Sequence, residues 1–415
     1  MDIALYTLTS PLHDENAVNA VSRDFIGGIE EALGFPMDFK GPDYDGYGSH
    51  DLDIVYVRTG GTEGLFLEVL PKMKGKIVLL TSGKSNSLAA SMEIMSYLNN
   101  NGRSGEILHG SCEYIAERII LLAKVNAARK SLVGKRLGVI GEPSDWLISS
   151  CADRKAVKER SGIEIVDVRM DELTGEIARA AGSGTASELE DAMRKELEIS
   201  APESIIQYVS GALDIYHALK KIIARHGLYG MTLRCFDLLS AVGNTGCLAL
   251  AMLNAEGIPA GCEGDVPTLI TMAAGHALTG QCGFQANPSR IDPETGEMLF
   301  AHCTVPFNMV KRYSFNTHFE SGIGVAVHGE LPTGESVIFK LSGDLSRSFV
   351  CGAELVGNCY EKNLCRTQII LKADASDENR KRICRDYFLK SPIGNHHIVF
   401  TGVEKAVFDA FCDSL

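Results

Sequence analysis

Apolar residues in the first part of the chain fall into short, nearly continuous runs separated by segments with helical spacing. The runs Asp2–Leu8, Asp53–Thr59, Lys76–Thr81 and Glu106–His109 read as strands. Ala17–Leu33, the stretch opening at Asn86-Ser87-Leu88, and Cys112–Ala128 read as the helices between them. Strands that are apolar on both faces and alternate with helices predict a parallel sheet covered on each side. The pattern begins again after a basic segment around Arg129–Arg136. Strands are expected at Arg136–Ile140, Ile163–Val168, Thr232–Cys235 and Ile258–Cys262, with helices at Ser187–Leu197, Glu203–Arg225, Gly246–Asn254 and Val266–Leu278. Beyond Gly280 the texture changes. Short alternating runs (MLFAHCTV, GIGVAVHGEL, ESVIFKLSG, RSFVCGAEL, TQIILKA, HHIVFTG) are divided by turns such as Pro332-Thr333-Gly334, which predicts a small antiparallel sheet or barrel. A last helix is expected at Glu404–Phe411. The fold class that follows is α/β: two Rossmann-like domains with parallel sheets, residues 1–133 and 134–295, then a β-rich, barrel-like domain, residues 296–415.

Composition narrows the function. A 415-residue chain with 45% hydrophobic and 22% charged residues has the balance of a soluble globular protein. No apolar run approaches the roughly 20 residues of a membrane span, and the N-terminus lacks the pattern of a signal peptide, so a cytoplasmic location is expected. The twelve cysteines are scattered without a CxxC pair, and several fall inside expected core elements, which points to reduced thiols. A net charge of −13 opposes nonspecific nucleic-acid binding. No GxGxxG follows the first strand, and neither a Walker A loop nor GxSxG occurs.

The chemistry gathers between Met231 and Met272. A right-handed βαβ crossover there places Asp237, just past one strand, and Glu263 with Asp265, just past the next, at the same carboxyl edge of one sheet. Asp265 before Val266-Pro267 equally has the position of a helix N-cap. Arg234 precedes Asp237 as a counter-charge to the cluster or an ordinary ion-pair partner. Two histidine contexts can complete the site: His302 in FAHCTVP, and His396-His397 in GNHHIVF. Adjacent histidines in a strand point to opposite faces, so one of the latter pair at most faces the acids. Carboxylates joined by a minority of imidazole suit Mn²⁺ or Mg²⁺ better than a thiolate-seeking metal. Trp146, the only tryptophan, lies with Ser144 in a strand-to-helix turn, where it can stack on a sugar or anchor domain packing.

The motifs RCFDLL, CEGDVPTLITM, AHCTVP and NHHIVF, in that order, resemble those of the L-fucose isomerase and L-arabinose isomerase superfamily, most of all its shorter fucose isomerase-like members. NSLAA and PSDW are fainter echoes in the first half. The resemblance implies two α/β domains before a β-rich one, and a Mn²⁺ (or Mg²⁺ or other divalent) site. It implies Asp237, Asp265 and His397 as ligands, with Glu263 competing with Asp265 and His302 as a further histidine ligand. His396, Asn86, Ser87, Ser144, Trp146 and Arg234 are the implied sugar contacts. It also implies a closed homo-oligomer, a hexamer or trimer, and aldose–ketose isomerisation through a cis-enediol, with Asp237, Asp265 and Glu263 carrying protons. A noncatalytic sugar-binding or regulatory protein, and a metal-dependent sugar epimerase or aldolase, are the alternatives.

Overall fold

The computed structural model describes residues 1–180 and 188–415. The chain forms two compact units, one of residues 1–130 with 410–414, the other of residues 131–409 with Leu415.

The first unit is a five-stranded parallel sheet. Its strands are β1 (Ile3–Leu8), β2 (Asp38–Gly41), β3 (Leu52–Val57), β4 (Ile77–Leu80) and β5 (Gly105–Leu108), in the order β2-β1-β3-β4-β5. β1 and β3 are buried along their whole length, as strands covered by helices on both faces must be. Side chains alternate across each strand, so two separate cores result. Leu5, Ile54 and Ile119 pack on one face of the sheet, and Tyr6, Val55 and Leu79 on the other. Gly34 ends the helix Glu15–Leu33 in a left-handed conformation, where glycine carries no Cβ penalty. The short edge strand β2 is mostly exposed, so it lacks the apolar run that marks its neighbours.

The second unit contains a four-stranded parallel sheet and a barrel. β6 (Arg136–Ile140), β7 (Glu164–Val168), β8 (Gly230–Leu233) and β9 (Ala260–Cys262) lie in the order β7-β6-β8-β9. The expected βαβ unit is present: β8 and β9 are parallel neighbours in register Leu233 to Cys262, joined through the helix Cys247–Ala255. The helix expected at Ser187–Leu197 runs from Glu188 to Ser200, and Ser187 lies outside the described residues.

The remaining strands are β10 (Phe284–Ile291), β11 (Glu297–His302), β12 (Arg312–Asn316), β13 (Ala326–Glu330), β14 (Gly334–Leu341), β15 (Ser348–Asn358), β16 (Thr367–Ala373) and β17 (His397–Thr401). Six of them close into an antiparallel barrel, β10-β11-β16-β15-β14-β17, while β12 and β13 form a separate ribbon. The fold is thus α/β with a β-rich C-terminal region, as the hydrophobic pattern implies. The barrel starts at Phe284, ahead of the division expected at 295/296, because β10 pairs with β17 as well as β11. One core runs through this unit, from Met231 and Leu250 of the α/β part to Phe300, Ile369 and Val399 of the barrel. Among the described residues no helix is long and apolar enough to cross a membrane.

Candidate active site

The site is built where the carboxyl end of β9 meets the barrel strands β11 and β17. After Cys262 the chain turns sharply: Glu263 has φ +64 and Gly264 φ +71. A Cβ at Gly264 would stand 2.5 Å from the Glu142 carbonyl oxygen and 2.8 Å from Pro143 Cα, so only glycine fits there. Left-handed backbone at a non-glycine residue persists only where its surroundings hold it. Here the 142–150 loop does so. The Ser144 amide donates to the Glu263 carbonyl at 2.9 Å, and Trp146 Nε1 donates to Glu263 Oε2 at 2.7 Å.

With one carboxylate oxygen held by Trp146, the other, Oε1, faces two imidazoles. His396 Nε2 is 3.5 Å away and His302 Nε2 is 4.0 Å away. Each imidazole has its opposite nitrogen engaged, His396 Nδ1 with Asp265 Oδ2 at 2.9 Å and His302 Nδ1 with Thr304 Oγ1 at 3.1 Å. That leaves both Nε2 atoms turned toward Glu263. Among the described residues the buried His396 Nε2 has no hydrogen-bond partner, a cost a fold tolerates where a ligand completes the group.

Glu263, His302 and His396 offer three ligand atoms within 4.8 Å of one another, the two histidines buried and Glu263 largely so. Donors about 2.1 Å from a common ion stand roughly 3 to 3.4 Å apart, somewhat closer than the 3.5 and 4.0 Å that separate Glu263 Oε1 from the two imidazoles. The Asp265–His396 bond supplies the outer carboxylate that orients a ligating imidazole in metal sites. One carboxylate and two imidazoles on one side leave coordination positions open toward the cavity. These residues fit a divalent cation.

Burial pushes the Glu263 carboxyl up, but the His396 and His302 imidazoles and the Trp146 N–H outweigh it and hold the pKa down at about 2. Burial opposes the charged form of His396 as well. Hydrogen bonding to Asp265 and the two nearby carboxylates overcome it, raising the pKa to about 9. His302, with burial and the His396 charge against protonation, falls to about 4. Without a cation, the imidazolium of His396 balances the carboxylates.

Asp265 is fully buried. Its Oδ1 accepts the Thr268 amide at 2.9 Å as the N-cap of the helix Val266–Thr279, and its Oδ2 faces His396, with Ser150 Oγ at 3.4 Å. Lys340 Nζ lies 3.9 Å from Oδ2 and donates to Thr268 Oγ1 at 2.7 Å. Burial raises the Asp265 carboxyl, but the Lys340 charge and the His396 bond bring it well below the ordinary range. Both carboxylate oxygens are therefore spoken for by protein groups, and Asp265 stands behind His396 rather than in the three-residue cradle.

His397, the expected ligand, projects from the other face of β17. Its Nε2 bonds to Tyr387 Oη at 2.8 Å and its Nδ1 to the Asn395 carbonyl at 3.0 Å. Phe300, Phe349, Tyr387 and Phe388 surround it at centroid distances of 5.2 to 6.2 Å. The histidine brought to Glu263 is His396, expected only as a sugar contact. Asp237 also lies apart. Its side chain is partly exposed, paired with Arg234 Nε at 3.0 Å, and it lines a second cavity with Arg154, Asp167 and Arg169. Arg234 further binds the Pro143 carbonyl and Asp145, so it is the hub of a surface ion-pair cluster.

The cavity beside the cradle is lined by Glu263 and His302 with Phe236, Asn287, His318 and Glu320. Phe236 stacks edge-to-face between Trp146 and His318, at 4.9 and 5.6 Å. Ser144 is buried, and among the described residues its hydroxyl has no hydrogen-bond partner. Asn86 and Ser87 belong to the first unit. Asn86 has left-handed backbone before the helix Ser87–Asn100, and the buried Ser87 hydroxyl accepts from Thr81 at 2.6 Å. Sequence reasoning did not select Lys340, Thr304, His318 or Phe236. For Lys340 a signal existed: a lysine inside the apolar run of ESVIFKLSG demands a buried partner.

The second unit thus sets a strand-edge carboxylate against two histidines of the barrel region, a group that could bind a divalent metal. No family model matches the chain. It is similar to proteins named sulfoquinovose isomerase from Priestia aryabhattai and Priestia megaterium, each 22% identical over 338 residues, covering 77% of this chain and 73% of the relative. A protein of the same name from Clostridium sp. strain MSTE9 is 29% identical over 126 residues, 30% of this chain and 27% of that one. These similarities indicate an enzyme of the isomerase class, related to sugar isomerases.

Proposed function

We propose that the protein is a divalent-metal-dependent aldose–ketose isomerase of the fucose and arabinose isomerase-like group, acting on a small sugar through a cis-enediol. The observation that carries the reading is the convergence of Glu263 Oε1, His302 Nε2 and His396 Nε2, with Asp265 fixing His396 from behind. Mn²⁺ is the proposed cation, since two imidazoles in the donor set suit it better than Mg²⁺. When bound, the cation polarises the sugar's carbonyl and adjacent hydroxyl.

The chain's own residues do the rest. Trp146 holds Glu263 in place, and the edge of Phe236 and the His318 ring give the cavity an apolar wall for the carbon skeleton. Isomerisation requires a proton to leave C2 and return to C1. Glu263 is the acid of the sequence-derived trio that lines the cavity, and Glu320 is a second carboxylate on that wall. The pair, rather than Asp237 and Asp265, is therefore proposed to border the reacting carbons. Sulfoquinovose joins neutral and phosphorylated aldoses as a candidate substrate because the relatives bear its name.

The test is turnover of these sugars with Mn²⁺ in D₂O, followed by product identification. A ketose of unchanged carbon count with solvent deuterium at C1 is expected. A C2 epimer or cleavage products would replace isomerisation with one of the alternative reactions, and binding without turnover would favour a noncatalytic protein.

A further inference from the structure

Five of the twelve cysteines line the cavity that holds Glu263 and His302: Cys235, Cys247, Cys262, Cys303 and Cys365. Cys235, Cys247 and Cys262 come from the βαβ unit and Cys303 and Cys365 from the barrel region, so the fold brings the two groups to one cavity. Cys303 stands within thiol hydrogen-bonding reach of Cys247 and Cys365, while Cys235 Sγ lies 3.0 Å from Cys262 Sγ. Both belong to the βαβ unit, Cys262 at the end of β9 and Cys235 two residues past Leu233, its partner across the sheet. A disulfide needs an S–S distance of about 2.05 Å, so the sulfurs have only about 1 Å to travel.

We propose that Cys235 and Cys262 form an oxidisable dithiol, a modification site for a small hydroperoxide that enters the cavity. One sulfur attacks a peroxide oxygen and the O–O bond breaks, giving a sulfenic acid and water. The second sulfur attacks the first, the S–O bond breaks, and a second water leaves with the thiol protons. Two thiols and one hydrogen peroxide thus become one disulfide and two waters; two electrons pass from sulfur to the peroxide.

The geometry also says which side moves. The Cys262 amide donates to Gln285 Oε1 at 2.8 Å, and its carbonyl accepts from the Asp265 amide and Thr232 Oγ1. Cys235 begins the short turn into Asp237–Val242, with one backbone bond from Leu238. Closure therefore draws Cys235 toward β9 and carries Phe236 with it, shifting the wall that touches Trp146 and His318. Its effect on turnover rests on the isomerase reading, whereas the bond and the wall movement do not.

The experiment uses the full chain, reduced and then exposed to stoichiometric hydrogen peroxide, with neither sugar nor cation added. Non-reducing peptide mapping should find the Cys235 and Cys262 peptides linked, and dithiothreitol should release them. Trp146 is the sole tryptophan, so its emission reports on the wall. It should shift on oxidation, recover on reduction and stay fixed in Cys235→Ser and Cys262→Ser. A bond between other cysteines, or sulfinic acid without any bond in the wild type, overturns the pairing. A Cys235–Cys262 bond with unchanged Trp146 emission overturns the coupling to the site. None of these outcomes depends on turnover, so a failure here is distinct from a failure of the proposed function.

Discussion

Replacing Asp265 with Asn should weaken the proposed metal site without removing any of the three proposed ligand atoms. Asp265 Oδ1 caps a helix through Thr268, so in Asp265→Asn the amide oxygen stays at the cap and the NH₂ group takes the place of Oδ2. That NH₂ faces His396 Nδ1, now 2.9 Å from a carboxylate oxygen, and two donors cannot share the bond. The imidazole must put its proton on Nε2, pointing into the cradle. Losing such an outer partner typically costs 10- to 100-fold in metal affinity, or about 1.4 to 2.7 kcal/mol. The same substitution strips Lys340 of its buried counter-charge. Breaking a buried pair costs roughly 3 to 5 kcal/mol, an upper limit here because burial already lowers the Lys340 pKa and the amine can shed its proton. Calorimetric titration of stripped protein with Mn²⁺, beside urea unfolding of the metal-free form, measures both effects. Unchanged affinity would refute the orienting role. Loss as complete as in Glu263→Gln would put Asp265 itself on the cation.

Three further outcomes are expected. His396→Ala should abolish Mn²⁺ binding, whereas His397→Ala should keep it and instead lose roughly 2 to 4 kcal/mol of stability from its aromatic surroundings; elemental analysis and thermal melts distinguish the two, and the reverse ranking sinks the assignment. Because the folded pKa of His396 is raised to about 9, its contribution to the metal-free protein is full below the ordinary value of 6.5 and is lost as pH rises through 9. The same proton must leave for a cation to bind, so Mn²⁺ affinity should climb about tenfold per pH unit between pH 6.5 and 8.5, and a flat profile in a titration series contradicts this. Asp237→Asn should leave Mn²⁺ affinity within about threefold of the wild type, since a small electrostatic change at a partly exposed ion pair is all it makes; loss of Mn²⁺ binding would return Asp237 to the cation.

The layering of the fold was legible because buried parallel strands and alternating barrel strands write different hydrophobic periods, and β8 and β9 carry theirs plainly. The edge strand β2 escaped because its exposed residues write none. Within the site, the βαβ reading located Glu263, yet it treated three acids at one edge as equivalent. Their separation depends on the turn at Glu263–Gly264, which aims Glu263 into the cavity, and on the cap that turns Asp265 inward. Alternation limited His396 and His397 to one apiece per face. Which of them meets Glu263 depends on the barrel register, in which His397 pairs with Ala286, and register is set by long-range closure that no local pattern records. The family resemblance pointed to His397, and the structure brings His396.

Glu263, His302 and His396 are proposed to hold a cation on which sugar isomerisation depends. The most direct measurement is ketose formation from the candidate aldoses by chelator-stripped protein, before and after Mn²⁺ is restored, with Glu263→Gln beside the wild type. Ketose should form only in the reloaded wild-type protein. Equal turnover by the stripped wild type, or by the reloaded Glu263→Gln variant, would contradict the account.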